Sequence, residues 1–309
     1  MSLRSTQRLG AVLGRWVACV DRKHVRRAME HLSIAFPDWD EPKHRNVAIR
    51  SFKHLGILLM EILWMPRLAR DEDWRRIVNP AGLDELAQKL GARKSFILVT
   101  GHIGNWEMGS MVAALMGHSL CSIARPLDNP YLERLLMSLR HQLSQATVPK
   151  DGALLPLMRM LRKQQGVPTF VADQNAGSEG VFVDFFGKKA STVGSIAAMA
   201  LRTGTPIAVM TMQRQDDTWR FLVHLDDFIE MPDHAKDGDQ GVLIREITQR
   251  YSLALERAIR RHPEQWLWAH RRWKSRPPEE SQATGTAPLS TAPFPAGASA
   301  TSDAAPKDA

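Results

Sequence analysis

From about residue 83 the chain alternates between short apolar runs and longer amphipathic segments, and no other feature constrains its fold as strongly. The runs are "SFILVT", "SLCSIA", "VPTFVAD" and "PIAVMTMQ", separated by stretches such as "NPYLERLLMSLRHQL" and "GALLPLMRMLRKQQ". Short apolar runs without polar alternation are strands buried on both faces. Helices between them give an α/β domain with a largely parallel central sheet. "TWRFLVHLDDF" alternates instead, which predicts an antiparallel partner of the strand before it. "QGVLIREITQRYSLALERAIRRH" has the 3.6-residue period of an amphipathic helix.

Residues 1–78 read as a helical, basic N-terminal region. "RLGAVLGRWVACVDRKHVRRAMEHLSIAFP" carries apolar residues at helical spacing among Arg and Lys and ends at Pro37. The next helix has Pro42 in its first turn and is expected to stop at Pro66. Its apolar face from Phe52 to Met65 is broad, which fits either a helix lying in a membrane interface or one packed on a sheet. Residues 79–276 are the α/β domain. Residues 277–309 are mostly Ala, Pro, Ser, Thr and Gly, a composition that predicts a disordered tail.

The formal net charge of +8 favours an anionic partner, whether a lipid surface, a nucleic acid or a phosphorylated substrate. The basic residues spread over the N-terminal helices and the C-terminal end without an aromatic platform, which argues against nucleic acid. No run of about 18 apolar residues is available to span a bilayer, and the N-terminal apolar piece, broken by Arg15, does not fit a secretory leader. The two cysteines, Cys19 and Cys121, are too far apart for a metal-spaced cluster and read as small packing residues. Nine Trp stand against two Tyr, as core residues or as interface anchors.

The chemistry concentrates in "GHIGNWEMG", residues 101–109, directly after "SFILVT". On one helix His102 and Glu107 would point roughly 140° apart. Gly101 and Gly104 allow a turn between them. His102 then falls on the loop beyond the strand, and Glu107 in the first turn of a helix capped by Asn105. A His steered by a carboxylate is a general-base arrangement; the alternative is a turn His and a helix-dipole Glu. No Ser or Cys nucleophile lies in the stretch, which leaves a substrate hydroxyl as the attacking group. His102 has no second His or Cys at ligand spacing, so no metal is expected.

"GHIGNWE" resembles the H-x-x-x-x-D/E signature of the lysophospholipid and glycerolipid acyltransferase superfamily. Three further segments resemble its lipid A late acyltransferase branch, the lauroyl and myristoyl transferases. These are "ARPLDNPYLERLL" (124–136), "VADQNAGSEGVFVDFFGKKASTVG" (171–194) and "HPEQWLWAHRRWKSRP" (262–277). The resemblance spans about residues 5 to 277. It implies a three-layer glycerolipid-acyltransferase-like fold with a mostly parallel sheet, preceded by amphipathic helices. It also implies transfer of a fatty acyl chain from a thioester on acyl carrier protein, or acyl-CoA, to a hydroxyl of a lipid A-type glycolipid, with no cofactor beyond the thioester co-substrate. His102 would be the base and Glu107 its orienting carboxylate. Arg125 would hold a phosphate or polarise the thioester carbonyl, and Asp173 and Gln174 would orient acceptor hydroxyls or Arg125. Asn105 would line the substrate site, and Arg140, Arg271 and Arg272 would bind phosphates, unless they form a solvated basic face. Family members usually begin with an apolar anchor, whereas residues 1–20 are interrupted by Arg4, Arg8 and Arg15. The expectation is therefore a peripheral protein on the cytoplasmic side of the inner membrane, with another phospholipid, glycolipid or aminolipid as the alternative acceptor.

Overall fold

Asp21 divides the basic N-terminal stretch into two helices. Its carboxylate accepts the backbone N–H of His24, as an N-cap does, and separates α1 (Leu3–Val20) from α2 (Arg22–Ala35). In the computed structural model the described residues are 2–70, 74–124, 130–131, 134, 137–138, 140, 146–149, 152–215, 220–232 and 238–277. The expected tail lies outside them but for Pro277, as do Arg125 and much of the helical segment expected after it.

α3 (Glu41–Arg70) does not stop at Pro66, which lies inside it. One proline removes a single backbone bond, and Met65, buried together with Leu3, fastens that end of the helix to the core. α1 and α3 meet backbone to backbone. A Cβ at Gly10 would lie 2.5 Å from the Gly56 carbonyl oxygen, and one at Gly14 would lie 2.2 Å from that of Phe52. This contact turns one side of α1 inward and leaves the other uncovered. Leu9, Val12, Leu13, Trp16, Val17 and Val20 form an exposed stripe at helical spacing, with Trp16 64% exposed. The broad apolar face of α3 is instead mostly covered. Phe52, Leu58 and Met65 are buried, and Leu59 and Leu63 remain exposed.

The helices α4 (Trp74–Ile77), α5 (Ala81–Leu90), α6 (Trp106–Leu115), α7 (Leu154–Arg162), α8 (Ser195–Thr203) and α9 (Gln240–Arg261) alternate with the strands. The strands are β1 (Val78–Asn79), β2 (Ile97–Thr100), β3 (Leu120–Ala124), β4 (Ala146–Pro149), β5 (Val167–Val171), β6 (Val181–Phe185), β7 (Lys188–Thr192), β8 (Ile207–Arg214) and β9 (Phe221–Ile229). Among the described residues seven of them form one sheet in the order β1-β9-β8-β2-β5-β3-β4. Every pairing in it is parallel except β8 with β9, the hairpin that the alternating sequence predicts. β6 and β7 form a separate antiparallel hairpin.

Both faces of the sheet are covered, as its unbroken apolar strands require; every residue of β2 and β8 is buried. Trp266, Trp268 and Trp273 fill the core beneath the C-terminal segment, and Cys121 is buried, whereas Cys19 is exposed on α1. Residues 1–276 form one compact unit that includes the N-terminal helices. No helix among the described residues is long and apolar enough to cross a membrane.

Candidate active site

The site begins with strand register. β2 and β5 are parallel neighbours, and Thr100, the last residue of β2, pairs with Val171, the last of β5. Two residues further on, at the carboxyl edge of the sheet, stand His102 and Asp173. The His102 Nδ1–H donates to Asp173 Oδ1 at 2.8 Å, and the His102 backbone N–H donates to Oδ2 at 2.8 Å. Trp266 Nε1–H adds a third bond to Oδ2, at 2.7 Å. Asp173 is 2% exposed and the His102 side chain 21%, so the carboxylate is enclosed while the ring remains reachable. This tautomer leaves Nε2 as the basic nitrogen. The indole of Trp106 meets the His102 ring edge-on, with centroids 4.9 Å apart. The Gln174 amide nitrogen stands 3.4 Å from each ring nitrogen.

Electrostatics follow from the geometry. Burial pushes the His102 pKa down, but the Asp173 charge, its hydrogen bond and the more distant Glu107 charge outweigh burial, and the net shift is upward from 6.5. Burial likewise works against the charged form of Asp173. The charge and hydrogen bond of His102, with the Trp266 bond, win and hold it well below the usual carboxylate range. A carboxylate that stays ionised beside a basic imidazole can orient it and stabilise the imidazolium that forms.

Glu107 lies where expected, in the first turn of a helix capped by Asn105, but its partner is not the one expected. Buried in the first turn of α6, it takes Arg140 in two-point contact, Nη2 to Oε1 at 2.5 Å and Nε to Oε2 at 3.2 Å. The carboxylate hydrogen-bonded to His102 is Asp173. A residue in register on the neighbouring strand faces the ring, whereas the turn through Gly104 carries Glu107 away toward Arg140. Glu107 acts on His102 only through its charge. Arg140, expected as a phosphate ligand, has its guanidinium committed to Glu107.

Two other expected ligands also change. Asn105 caps α6 as expected, accepting the Met108 N–H at 2.9 Å, but it is fully buried and its amide N–H donates to Glu61 at 2.9 Å. Both ends of its side chain are used within the protein and neither faces a substrate. Arg272 is neither a phosphate ligand nor part of a solvated face. It is buried over the Phe185 ring, donates to the backbone oxygens of Gln174 and Ser191 and to Thr192 Oγ1, and is lowered by burial to about 10. Its role is to tie the β6–β7 hairpin to the loop that bears Asp173. Arg271 is exposed and lines a groove with Lys23, Arg26, Arg27 and Lys274, where Glu30 is the one acidic residue. Arg125 lies outside the described residues.

Sequence reasoning missed the residues that hold the turn. Gly104 N–H donates to the Gln265 carbonyl at 2.9 Å and Asn105 N–H to that of Met212 at 2.8 Å. A Cβ at Gly104, where φ is +60°, would come within 1.9 Å of the Met212 oxygen. Behind the turn, Glu61 and Arg214 form a buried ion pair. One signal was available: Glu61 is the single charged residue in the apolar run from Leu55 to Pro66. Among the described residues, no three His, Cys, Asp or Glu side chains gather as a metal site would require.

Residues 1–275 match the family of bacterial lipid A biosynthesis acyltransferases. The lipid A biosynthesis palmitoleoyltransferase of Escherichia coli is 25% identical over 277 residues, covering 87% of this chain and 86% of its own. The lauroyltransferase of the same organism is 23% identical over 275 residues, covering 87% and 85%. A phosphatidylinositol mannoside acyltransferase of Mycobacterium tuberculosis is 24% identical over 262 residues, covering 82% and 76%. With an enclosed His–Asp pair at the sheet edge and a family match over nearly the whole folded chain, this protein belongs to the bacterial lipid A biosynthesis acyltransferase family and is an acyltransferase.

Proposed function

We propose that the protein transfers a fatty acyl chain from a thioester, on acyl carrier protein or coenzyme A, to a hydroxyl of a lipid A-type glycolipid. His102 is the base. Its Nε2 takes the proton of the acceptor hydroxyl as that oxygen attacks the thioester carbonyl. The tetrahedral adduct collapses and expels the thiolate, which the His102 imidazolium reprotonates. The ester and the free thiol are the products, and the enzyme regains its starting protonation. Asp173 fixes the tautomer and stabilises the imidazolium. No acyl-enzyme, metal or further cofactor takes part. The carrying observation is the His102–Asp173 pair, which leaves Nε2 as the basic nitrogen of a ring that is partly exposed above an enclosed carboxylate. For the anionic donor, the groove around Arg271 offers a cationic surface.

The protein acts as a peripheral enzyme at the cytoplasmic face of the inner membrane. The apolar stripe of α1, with Leu59 and Leu63 of α3, enters the headgroup boundary, and the exposed Arg8 and Arg15 meet anionic lipid. Of the two readings left open for the α3 face, packing accounts for most of it, and α1 carries the larger exposed apolar surface. Trp16→Ala with Val12→Ser should reduce co-sedimentation with anionic vesicles while leaving the melting temperature unchanged. Binding indifferent to both changes would refute the placement.

A second acceptor class has support of its own. The phosphatidylinositol mannoside acyltransferase has an identity to this chain within the range of the two E. coli enzymes, over a somewhat shorter span, so family membership leaves the glycolipid open. The deciding experiment supplies radiolabelled acyl carrier protein or acyl-CoA donors and a panel of acceptors: lipid A precursors, mannosylated phosphoinositides and plain phospholipids. Label appearing on a lipid A precursor supports the assignment; label confined to another lipid replaces it. His102→Ala should abolish transfer, and a folded His102→Ala protein with normal turnover would remove the base.

A further inference from the structure

We infer that Glu61 and Arg214, far from His102 in sequence and absent from its motif, are positioning residues for the catalytic turn. The inference rests on His102 acting as the base. Glu61 is 0% exposed. Arg214 donates from Nη2 to both of its oxygens, at 2.8 and 2.9 Å, and from Nε to Oε1 at 3.2 Å. The pair then reaches the turn by two routes.

On the first route, Asn105 Nδ2 donates to Glu61 Oε2 at 2.9 Å, while Asn105 Oδ1 caps α6. Glu61 thereby fixes the start of the helix that carries Glu107. On the second route, Arg214 Nη1 stands 3.1 Å from His54 Nδ1, and His54 Nε2 stands 3.1 Å from the Gly104 carbonyl oxygen. Since a guanidinium only donates, His54 accepts at Nδ1 and donates from Nε2. Burial, with the Arg214 charge beside it, keeps the imidazole neutral, as this relay requires. Gln7 of α1 supplies a further donor to Glu61 Oε1, at 2.7 Å.

Residues 104 and 105 are thus held through both ends of one ion pair, and His102 lies two residues before Gly104, with only Ile103 between. A buried ion pair is weak support for stability when measured against apolar residues of similar volume. Its geometric strength is that a two-point contact fixes direction as well as distance. Here it sets the place from which His102 reaches Asp173.

The test separates position from stability. Glu61→Gln keeps the shape but turns an amide toward the donors of Arg214, Gln7 and Asn105. It should lower kcat about 10- to 100-fold, as an ångström-scale misplacement does, with the KM of donor and acceptor little changed. The acid midpoint of the pH–rate profile should move to lower pH as the His102–Asp173 contact loosens. Glu61→Met/Arg214→Met removes both charges. It should regain thermal stability relative to either single change, yet leave kcat low. Asn105→Ser keeps an oxygen for the Met108 N–H and loses the arm to Glu61; it should show the same split between kcat and KM with the ion pair intact. Normal kcat in a folded Glu61→Gln or Asn105→Ser protein would overturn the inference. So would a double variant whose kcat recovers together with its melting temperature, since the pair would then be structural only. His102→Ala, assayed alongside, keeps the two questions apart: activity surviving that change removes the base itself, whatever Glu61 does.

Discussion

Two carboxylates, Asp173 beyond β5 and Glu107 in the first turn of α6, stand near one imidazole and do opposite things. Asp173 is bonded to His102 at ring and backbone and collects a third donor from Trp266. Glu107 is neutralised by Arg140 and touches His102 only through its field. The difference lies in placement. Parallel register delivers Asp173 directly opposite His102, whereas Glu107 follows a left-handed glycine and leaves in another direction. Proximity in sequence therefore misidentifies the partner. The residue five positions away is an electrostatic neighbour, and the residue 71 positions away is the orienting group.

The strongest way to break this comparison is to neutralise each carboxylate in turn. Asp173→Asn should cost the most, about 10²- to 10⁴-fold in kcat, because the ring loses both its tautomer preference and the charge that stabilises the imidazolium. The pH dependence carries a sign. In the wild type the rate should climb with pH through a midpoint above 6.5, since the proposed base, His102, acts unprotonated and its pKa is raised. Without the Asp173 charge, burial dominates and the midpoint should fall. A folded Asp173→Asn enzyme with a normal rate and an unmoved midpoint would end the distinction.

Glu107→Gln should cost less in rate and fail by another route. It strips the partner from a largely buried guanidinium, and breaking such a pair costs about 3–5 kcal/mol of stability. The Glu107 charge that helps raise the His102 pKa is lost as well, so the acid midpoint again falls, by less than in Asp173→Asn. The discriminating step is a second change. Arg140→Met added to Glu107→Gln should restore much of the melting temperature and part of the rate, because the offending charge is gone. The same Arg140→Met added to Asp173→Asn should restore neither. Equal rescue in both backgrounds would show that the two carboxylates form one unit after all.

How much of this was legible in the sequence follows from what is local. The alternation of apolar runs and amphipathic segments is a one-dimensional signal, and the strands and their parallel sheet follow it. The β8–β9 hairpin was visible in its polar alternation. His102 and the Asn105 cap were visible because a strand end, a turn and a helix start lie in one short stretch. Contacts between elements left no such trace. Nothing local says that Gly10 and Gly14 of α1 press on Gly56 and Phe52, so the apolar breadth of α3 could be read as either buried or lipid-facing. Arg272 sits in a basic run that looks like surface, and only the fold shows its guanidinium enclosed. The Asp173 partnership needed the β2–β5 register, which no periodicity encodes.

The smallest expected effect is also the one whose sign separates the two carboxylates most finely. Trp266→Phe removes the Nε1–H that donates to Asp173 Oδ2 at 2.7 Å and leaves a ring to pack near Trp268 and Phe185. Asp173 keeps both of its bonds to His102, so the loss in kcat should be modest, around tenfold or less. A hydrogen bond to a charged group contributes about 1.5–3 kcal/mol, and tenfold in rate is about 1.4 kcal/mol, so only part of that bond is expected to be felt at the transition state. A carboxylate relieved of one donor is less stabilised as an anion, and it attracts the imidazolium more strongly. The His102 pKa should therefore rise, and the acid midpoint should move to higher pH, opposite to both carboxylate variants. Glu107 has no bond to Trp266 and offers no route to such a shift. A midpoint that falls in Trp266→Phe would mean that His102 takes its basicity from somewhere other than Asp173.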